Sequence, residues 1–448
     1  MEADACSSAP PEWRRQSIDQ VCMRVTSGGT PSRRRPEFYD GGGNGWVKSK
    51  ELLDRWIDDT EEQITEEAVK SSSAKVLPEN TLLLALYGAT VGQLGILRRS
   101  MTCNQACCAI IVDSRLADFR YLFYQLLHHR RQLRGLASGA AQQNLSGQLI
   151  RGFVLPFPPL PEQQAITRIL GALDDKIELN RRMNATLEAL ARAIFKSWFV
   201  DFDPVRAKLD GRQPAGMSAD LAALFPDSLE HVDGELVPKG WKPQTLEELT
   251  THIGSGATPR GGSKVYVDDG VALVRSQNVF DHKFVWDGLA RITDKAADSL
   301  VSVALEEDDI LFNITGASVL RTCIVDPDVL PARVNQHVLR IRAAPGISPR
   351  YLHLHLASQE MKDHLIGFNA GATREAVTKG HLQAVRIQSP NQEVMDAFSD
   401  LVRPIYSRIQ ANLRESRTLT CTRDTLLPKL LSGELRVGDA ERAVGEVV

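Results

Sequence analysis

Ser27-Gly28-Gly29-Thr30-Pro31 comes back 228 residues later as Ser255-Gly256-Ala257-Thr258-Pro259. At the same offset Trp13-Arg14-Arg15-Gln16 returns as Trp241-Lys242-Pro243-Gln244, and Gly88-Ala89 as Gly316-Ala317. Asn104-Gln105 recurs as Asn335-Gln336, Tyr121-Leu122 as Tyr351-Leu352 and Gly139-Ala140 as Gly371-Ala372, at offsets of 230–232. So slow a drift means short loop insertions between two copies of one unit. A period near 230 residues is far too long for a solenoid. The chain is a duplicated domain, suited to making two similar contacts with a partner that is itself nearly symmetric.

Each copy closes on a heptad. Ile166, Leu170, Leu173, Ile177, Asn180, Asn184, Leu187, Ala191, Ile194 and Trp198 alternate by four and three. At an offset of 232 stand Phe398, Val402, Ile405, Ile409, Asn412, Ser416, Leu419, Arg423, Leu426 and Leu430, with Arg423 the one clear flaw. An apolar seven-residue repeat of this kind winds two helices into a left-handed coiled coil. Pro156, Pro158, Pro159 and Pro161 precede the first helix and Pro390 the second, where proline stops a strand and starts a helix. Pro404 inside the second seam is expected to kink or delay that helix, and Pro428 to fray its end. Tandem copies place the helices antiparallel about a pseudo-two-fold axis. A crossing centred on the seam's midpoint sets Asn180 against Ser416 and Asn184 against Asn412. These asparagines either form a buried polar centre that fixes register or are simply solvated.

The globular part of each copy is short and mixed. Strand-like runs are Gly45–Ser49, Thr81–Tyr87 and Ala109–Val112, echoed by Ala272–Ser276, Asp309–Asn313 and Val338–Ile341. A helix is expected over Arg120–Leu136 and again over Arg350–Phe368. The fold class is α+β: two tandem pseudo-symmetric domains separated by two long antiparallel helices. The expected boundaries are a first domain at 12–158, a first helix at 159–200, a Pro-, Gly- and Asp-rich linker at 201–238, a second domain at 239–390, a second helix at 391–434 and a tail at 435–448.

No apolar run reaches the roughly 18–20 residues that a membrane span needs, and residues 1–10 lack the order of a secretory signal. The expected location is the cytoplasm. A net charge of −3 excludes a strongly basic nucleic-acid coat protein but not a specific DNA binder with local positive charge. Seven irregularly spaced cysteines include Cys103, Cys107 and Cys108, which read as small apolar residues of a buried strand in preference to a metal site. There is no phosphate loop or dinucleotide fingerprint, no Asn-Pro-Pro-aromatic tetrapeptide and no nucleophile elbow. His353 and His355 find no third ligand and read as structural. No metal site and no catalytic residue is expected.

Thr26–Pro31, Trp46-Val-Lys-Ser49, Leu77-Pro-Glu-Asn-Thr81 with Tyr87-Gly-Ala-Thr90, Asn104-Gln-Ala-Cys-Cys108 and Leu160-Pro-Glu-Gln-Gln164 occur in one order. With Ile194–Asp203 and Leu427–Leu435, this set closely resembles the specificity subunit of type I restriction–modification systems. The resemblance implies two target-recognition domains, each reading half of a split double-stranded DNA site. It implies helices that set the gap and dock methyltransferase subunits, with restriction–translocase subunits joining that core. S-adenosylmethionine, ATP and magnesium belong to those partners, and this subunit holds no cofactor. The second copy departs from the pattern, with Asn335-Gln-His-Val338 in place of the Cys-rich run and Ser389-Pro-Asn-Gln392 in place of Leu-Pro-Glu-Gln.

Base-edge readout takes Arg, Asn and Gln in loops, with Lys, Ser or Thr on phosphates. The DNA-binding candidates are Arg33, Arg34, Lys48, Lys50, Gln142, Gln143 and Asn144 in the first copy. In the second they are Arg260, Lys264, Arg275, Gln277, Asn278, Thr373 and Arg374. Asn104-Gln105 and Asn335-Gln336 are tempting base readers, yet their recurrence suits a structural role better. Two other readings stand beside this one: the recognition part of a single-chain methyltransferase or nuclease, and a coiled-coil scaffold that binds no DNA.

Overall fold

The structure, a computed structural model, describes residues 10, 12–137, 144–368 and 377–445. The chain divides into two compact units, Met1–Asn180 with Arg414–Val448, and Arg181–Leu413. Each unit takes one globular copy and one half of each long helix.

In the first unit the main sheet runs in the order Cys22–Ser27, Cys107–Val112, Leu82–Ala85, Leu94–Leu97, Arg55–Ile57. A smaller sheet has Asn44–Val47 at its centre, antiparallel to Gln63–Ile64 and parallel to Thr102–Cys103. Arg14–Ser17 pairs antiparallel with Val154–Phe157, so the start of the copy lies beside its exit. The second unit repeats the plan. Its main sheet runs Thr250–Ser255, Val338–Ala343, Ile310–Asn313, Thr322–Ile324, and Val271–Val274 again lies parallel to Ala332–Val334. Lys242–Thr245 with Arg386–Ser389 makes the closing pair.

The strand Cys107–Val112 shows why this sequence forms a sheet interior. Side chains alternate across a strand, so Cys108 and Ile110 join Leu82 and Leu84 on one face, while Cys107 and Ala109 join Leu83, Ala85 and Cys103 on the other. A strand buried on both faces takes cysteine as a small apolar residue, and burial pushes the Cys108 thiol up to about 12.

Three expectations are corrected. Each helix after the sheet is two helices: Phe119–His128 and Arg130–Leu136 in the first copy, Pro349–Ala357 and Gln359–Gly367 in the second. The second break falls at Ser358, whose extended backbone lets its hydroxyl accept from Met361 N at 3.2 Å as an N-cap. The 201–238 segment is folded. It holds helices Asp203–Leu209 and Ala219–Ala223 and a hairpin of Leu229–Val232 with Glu235–Pro238. Phe202 packs on Trp241 with ring centres 5.6 Å apart, and Phe225 on Trp198 at 4.9 Å. Lastly, the second long helix runs unbroken from Gln392 to Ser432 through Pro404 and Pro428. Pro404 lies on the exposed side, where water satisfies the carbonyl that its missing N–H leaves over.

The first long helix spans Leu160–Phe199. Within the first unit Ile166, Leu170 and Leu173 share one core with Leu419, Leu426 and Leu430, and partly buried Ile177 packs against it. Within the second, Ala191 packs with Ile405 and Ile409, flanked by Leu187 and Ile194. The pairing is antiparallel in both. Asn180 donates to Ser416 Oγ at 3.3 Å and to Glu415 at 2.8 Å, and Asn412 donates to Asn184 Oδ1 at 2.7 Å. Both asparagine pairings follow the register read from the sequence, and Asn180 and Asn412 are each only 1% exposed. Each unit thus carries one largely buried asparagine pairing in its half of the seam. Asn412→Leu strands Asn184 Oδ1, while Asn184 Nδ2 keeps Ile409 O at 3.4 Å. It should cost about 2 kcal/mol in urea unfolding, whereas Asn184→Leu/Asn412→Leu removes donor and acceptor together and should recover most of it. A double variant as unstable as the single one would refute this account.

Arg423, the flaw in the seam, has its partner within the first unit. Its guanidinium meets Asp174 at 2.8 Å, and the Tyr124 hydroxyl donates to the same carboxylate at 2.6 Å. Arg120 adds an ion pair to Asp175 at 3.0 Å. The globular copy is thus keyed to the first long helix, and that helix to the second, through Asp174 and Asp175. In the second unit Arg350 instead stacks 4.6 Å over the Tyr406 ring. Among the described residues no helix is long and apolar enough to cross a membrane.

Candidate nucleic-acid interface

At one end of each main sheet, chain turns that share one hydrogen-bond plan come together. In the first unit Gly28 N donates to Cys107 O at 3.1 Å, Gly29 N to Cys103 O at 2.9 Å and Asn104 N to Val47 O at 2.9 Å. In the second, Gly256 N donates to Val338 O at 3.2 Å, Ala257 N to Val334 O at 2.9 Å and Asn335 N to Val274 O at 3.0 Å. The glycines are required by this closeness. A Cβ on Gly28 would lie 2.2 Å from Cys103 O, and one on Gly256 1.9 Å from Val334 O. The Gly88–Thr90 and Gly316–Ser318 turns stand at the same end. Leu86 N reaches Ala106 O at 2.8 Å and Ile314 N reaches His337 O at 3.1 Å. Gly88 and Gly316 take φ of +78° and +75°, the left-handed region that favours glycine.

Gln142, Gln143, Thr373 and Arg374 lie outside the described residues. Asn144 is exposed and bridges to Tyr87, and Val377 N donates to Ile314 O at 3.2 Å. The described residues Asn144 and Val377 therefore both lie at this loop-bearing end.

Of the first unit's candidates, Arg33, Lys48 and Lys50 come together, held by two acids that sequence reasoning missed. Arg33 pairs with Glu62 at 2.7 Å, Lys48 with Glu62 at 2.7 Å and with Glu61 at 3.0 Å, and Lys50 with Glu61 at 2.6 Å. Arg33 and Lys48 hold the Glu62 carboxyl down to about 2, and Lys50 and Lys48 lower that of Glu61. Lys48 is mostly buried, with 15% of its side chain exposed. Arg34 is exposed. The Glu61-Glu62 couple stands in the sequence, but nothing local ties it to Arg33, since strand order alone makes them neighbours.

The second unit's candidates separate into two groups. Arg260 and Lys264 are exposed after Pro259. Arg275 and Gln277 both donate to Gly288 O, at 2.8 and 2.9 Å, and Asn278 donates to Val285 O at 2.9 Å. Asn278 has no exposed surface; its amide holds the 285–288 loop and is out of reach of a base edge. Asn335 Oδ1 accepts from His337 N at 3.2 Å, a turn-forming bond, and the Gln336 side chain pairs with the Thr258 hydroxyl.

This architecture has a known counterpart. The family model described as type I restriction modification DNA specificity domain matches residues 10–189. The type I restriction enzyme MjaIX specificity subunit of Methanocaldococcus jannaschii is 26% identical over 96% of this chain and 94% of its own. The HindI specificity subunit of Haemophilus influenzae is 30% identical over 63% of this chain and 69% of its own. The S subunit of the type I restriction–modification system of M. genitalium has the same fold, with a TM-score of 0.57 at 16% identity, covering 96% of this chain and 98% of that one. A twice-built loop platform, paired long helices and relatives along its length make this chain a member of the family of type I restriction enzyme specificity subunits.

Proposed function

We propose that this chain is the sequence-specific DNA-binding subunit of a type I restriction–modification complex. Each globular copy reads one half of a bipartite double-stranded site. The two long helices set the gap between halves and dock methyltransferase subunits, and restriction–translocase subunits join that core. The chain supplies recognition and no catalysis; S-adenosylmethionine, ATP and magnesium are held by the partner subunits, and the complex works in the cytoplasm. The observation that carries this reading is the loop platform built twice on one hydrogen-bond plan, with different side chains mounted on each. A common scaffold with divergent fittings suits two readers of different half-sites. Phosphate contacts would position each copy and base-edge contacts would specify the sequence.

The test is the methylation pattern of a host genome with and without this chain, read with its cognate methyltransferase subunits present. A bipartite motif that appears only with the chain is the expected result; no chain-dependent motif would refute the proposal. The gap has its own test. Four residues inserted into each helix at the seam's centre lengthen the pair by about 6 Å. At about 3.4 Å per base pair, the methylated motif should gain roughly two base pairs between its halves. An unchanged gap in a folded variant would show that the helices do not set it.

A further inference from the structure

We infer that Arg33 reads a guanine in the half-site of the first unit, with Glu62 as its positioning residue. The inference rests on the DNA-reading role proposed above and assigns its chemistry at one position. Two aromatic side chains first fix the loop that carries Arg33. The Trp46 indole N–H donates to Gly29 O at 3.0 Å, and the Tyr39 hydroxyl to Pro31 O at 2.7 Å. The guanidinium then lies over both rings, 4.2 Å from the centre of Tyr39 and 5.1 Å from that of Trp46. Glu62 engages one terminal nitrogen. Among the described residues no other group pairs with the remaining nitrogens, and 54% of the side chain is exposed. A flat, stacked guanidinium anchored at one nitrogen leaves a further pair of N–H donors for the N7 and O6 acceptors of guanine in the major groove.

Charge decides between a base and a phosphate as the ligand. A phosphate contact works by neutralising negative charge. Here Arg33, Lys48 and Lys50 are already met by Glu61 and Glu62, and a carboxylate 2.7 Å from Arg33 repels a phosphate oxygen. A base edge is neutral, so orientation counts and net charge does not. Divergence between the copies agrees. The glycine contact recurs at Gly28 and Gly256, as a scaffold should. At the repeat's offsets, however, Gly261 stands where Arg33 does and Leu273 where Trp46 does. The device belongs to one copy, as a half-site reader must.

The full chain with its methyltransferase subunits is assayed by methylated motif and by competition with duplexes changed at each base pair. R33A and R33K, checked for unaltered melting, should lower discrimination at one G·C pair on the order of 10- to 100-fold. The other half-site should be untouched. E62Q should loosen the same position with total affinity unchanged or raised, since a negative charge is lost; a merely structural role for Glu62 moves no single base pair. Intact discrimination at every position in R33A overturns the inference. So does a uniform loss across sequences with the salt slope reduced by about one, the mark of a phosphate contact. An unsubstituted complex with no bipartite motif would sink the DNA-reading proposal itself, a result distinct from either.

Discussion

Lowering the pH from 7.5 to 5.5 should weaken the second unit by about 2–4 kcal/mol and the first unit by less. His353 and His355 are enclosed in the second unit, where burial holds both rings down to about 3, and His282 beside them is held to about 4 by burial and Arg192. His353 Nε2 lies 3.3 Å from Thr322 O, and the His355 ring packs 4.6 Å from Tyr351 and 4.7 Å from Phe195. The unfolded chain takes up these protons near pH 6.5 and the folded one does not. Above that pH the rings are neutral in both states and carry no penalty. As pH falls toward the folded values, each group removes about 1.4 kcal/mol per pH unit. The first unit places Gln125 where the second has His355, and its amide donates to Tyr121 Oη at 2.7 Å. Its His128 and His129 are also lowered by burial, but they are only partly enclosed. Hydrogen exchange at the two pH values should show amides of the second unit losing protection first, and H355Q should remove one histidine's share. Equal loss in both units, or no change in H355Q, would refute this account.

Gly256→Ala and Gly28→Ala should each cost about 3 kcal/mol or more, at the top of the range for point substitutions. The added methyl meets backbone carbonyls of the facing chain, not the ends of flexible side chains. To make room, the turn after Val334 must give up the bond from Asn335 N to Val274 O that ties it to the small sheet. Gly88 and Gly316 are the internal control, because a Cβ there meets nothing within 4 Å and only the positive φ resists it. Alanine at those positions should cost about 1 kcal/mol. Thermal melts of the four variants should fall into these two classes. If the first unit reads a half-site as proposed, Gly28→Ala in the assembled complex should blur that half alone; four equal melts would mean that the close approach carries no weight.

The parts of the fold legible in the sequence were those governed by a single period. The heptad set helix position, and with the antiparallel pairing that the duplication implies it set even the partners of Asn180 and Asn184, because a coiled-coil register turns residue number directly into contact. The β-runs were legible as runs, but their order was not, since Arg55–Ile57 joins the sheet beside Leu94–Leu97 across a long loop. Composition misread the 201–238 segment. Its anchors, Phe202, Val205 and Phe225, are single apolar residues with no period among punctuating Pro and Gly. The candidate site was half legible for the same reason. Arg33, Lys48 and Lys50 stand out as cations, but the acids and rings that orient them arrive through tertiary pairing. Asn278 looked like a base reader because an asparagine after a strand looks the same whether it faces solvent or holds a loop.

The different fastenings of the two globular copies bear on how such proteins can be rebuilt. Tyr124 closes on Asp174, which Arg423 also holds, in one unit, whereas Leu354 and Tyr406 stand where Tyr124 and Asp174 do in the other. A module transplanted from the first berth to the second would carry its hydroxyl to a phenol ring instead of a carboxylate. Lateral shuffling of globular copies between berths therefore demands co-exchange of a few helix residues, while replacement within the same berth does not. The fastening polices which modules recombination can trade.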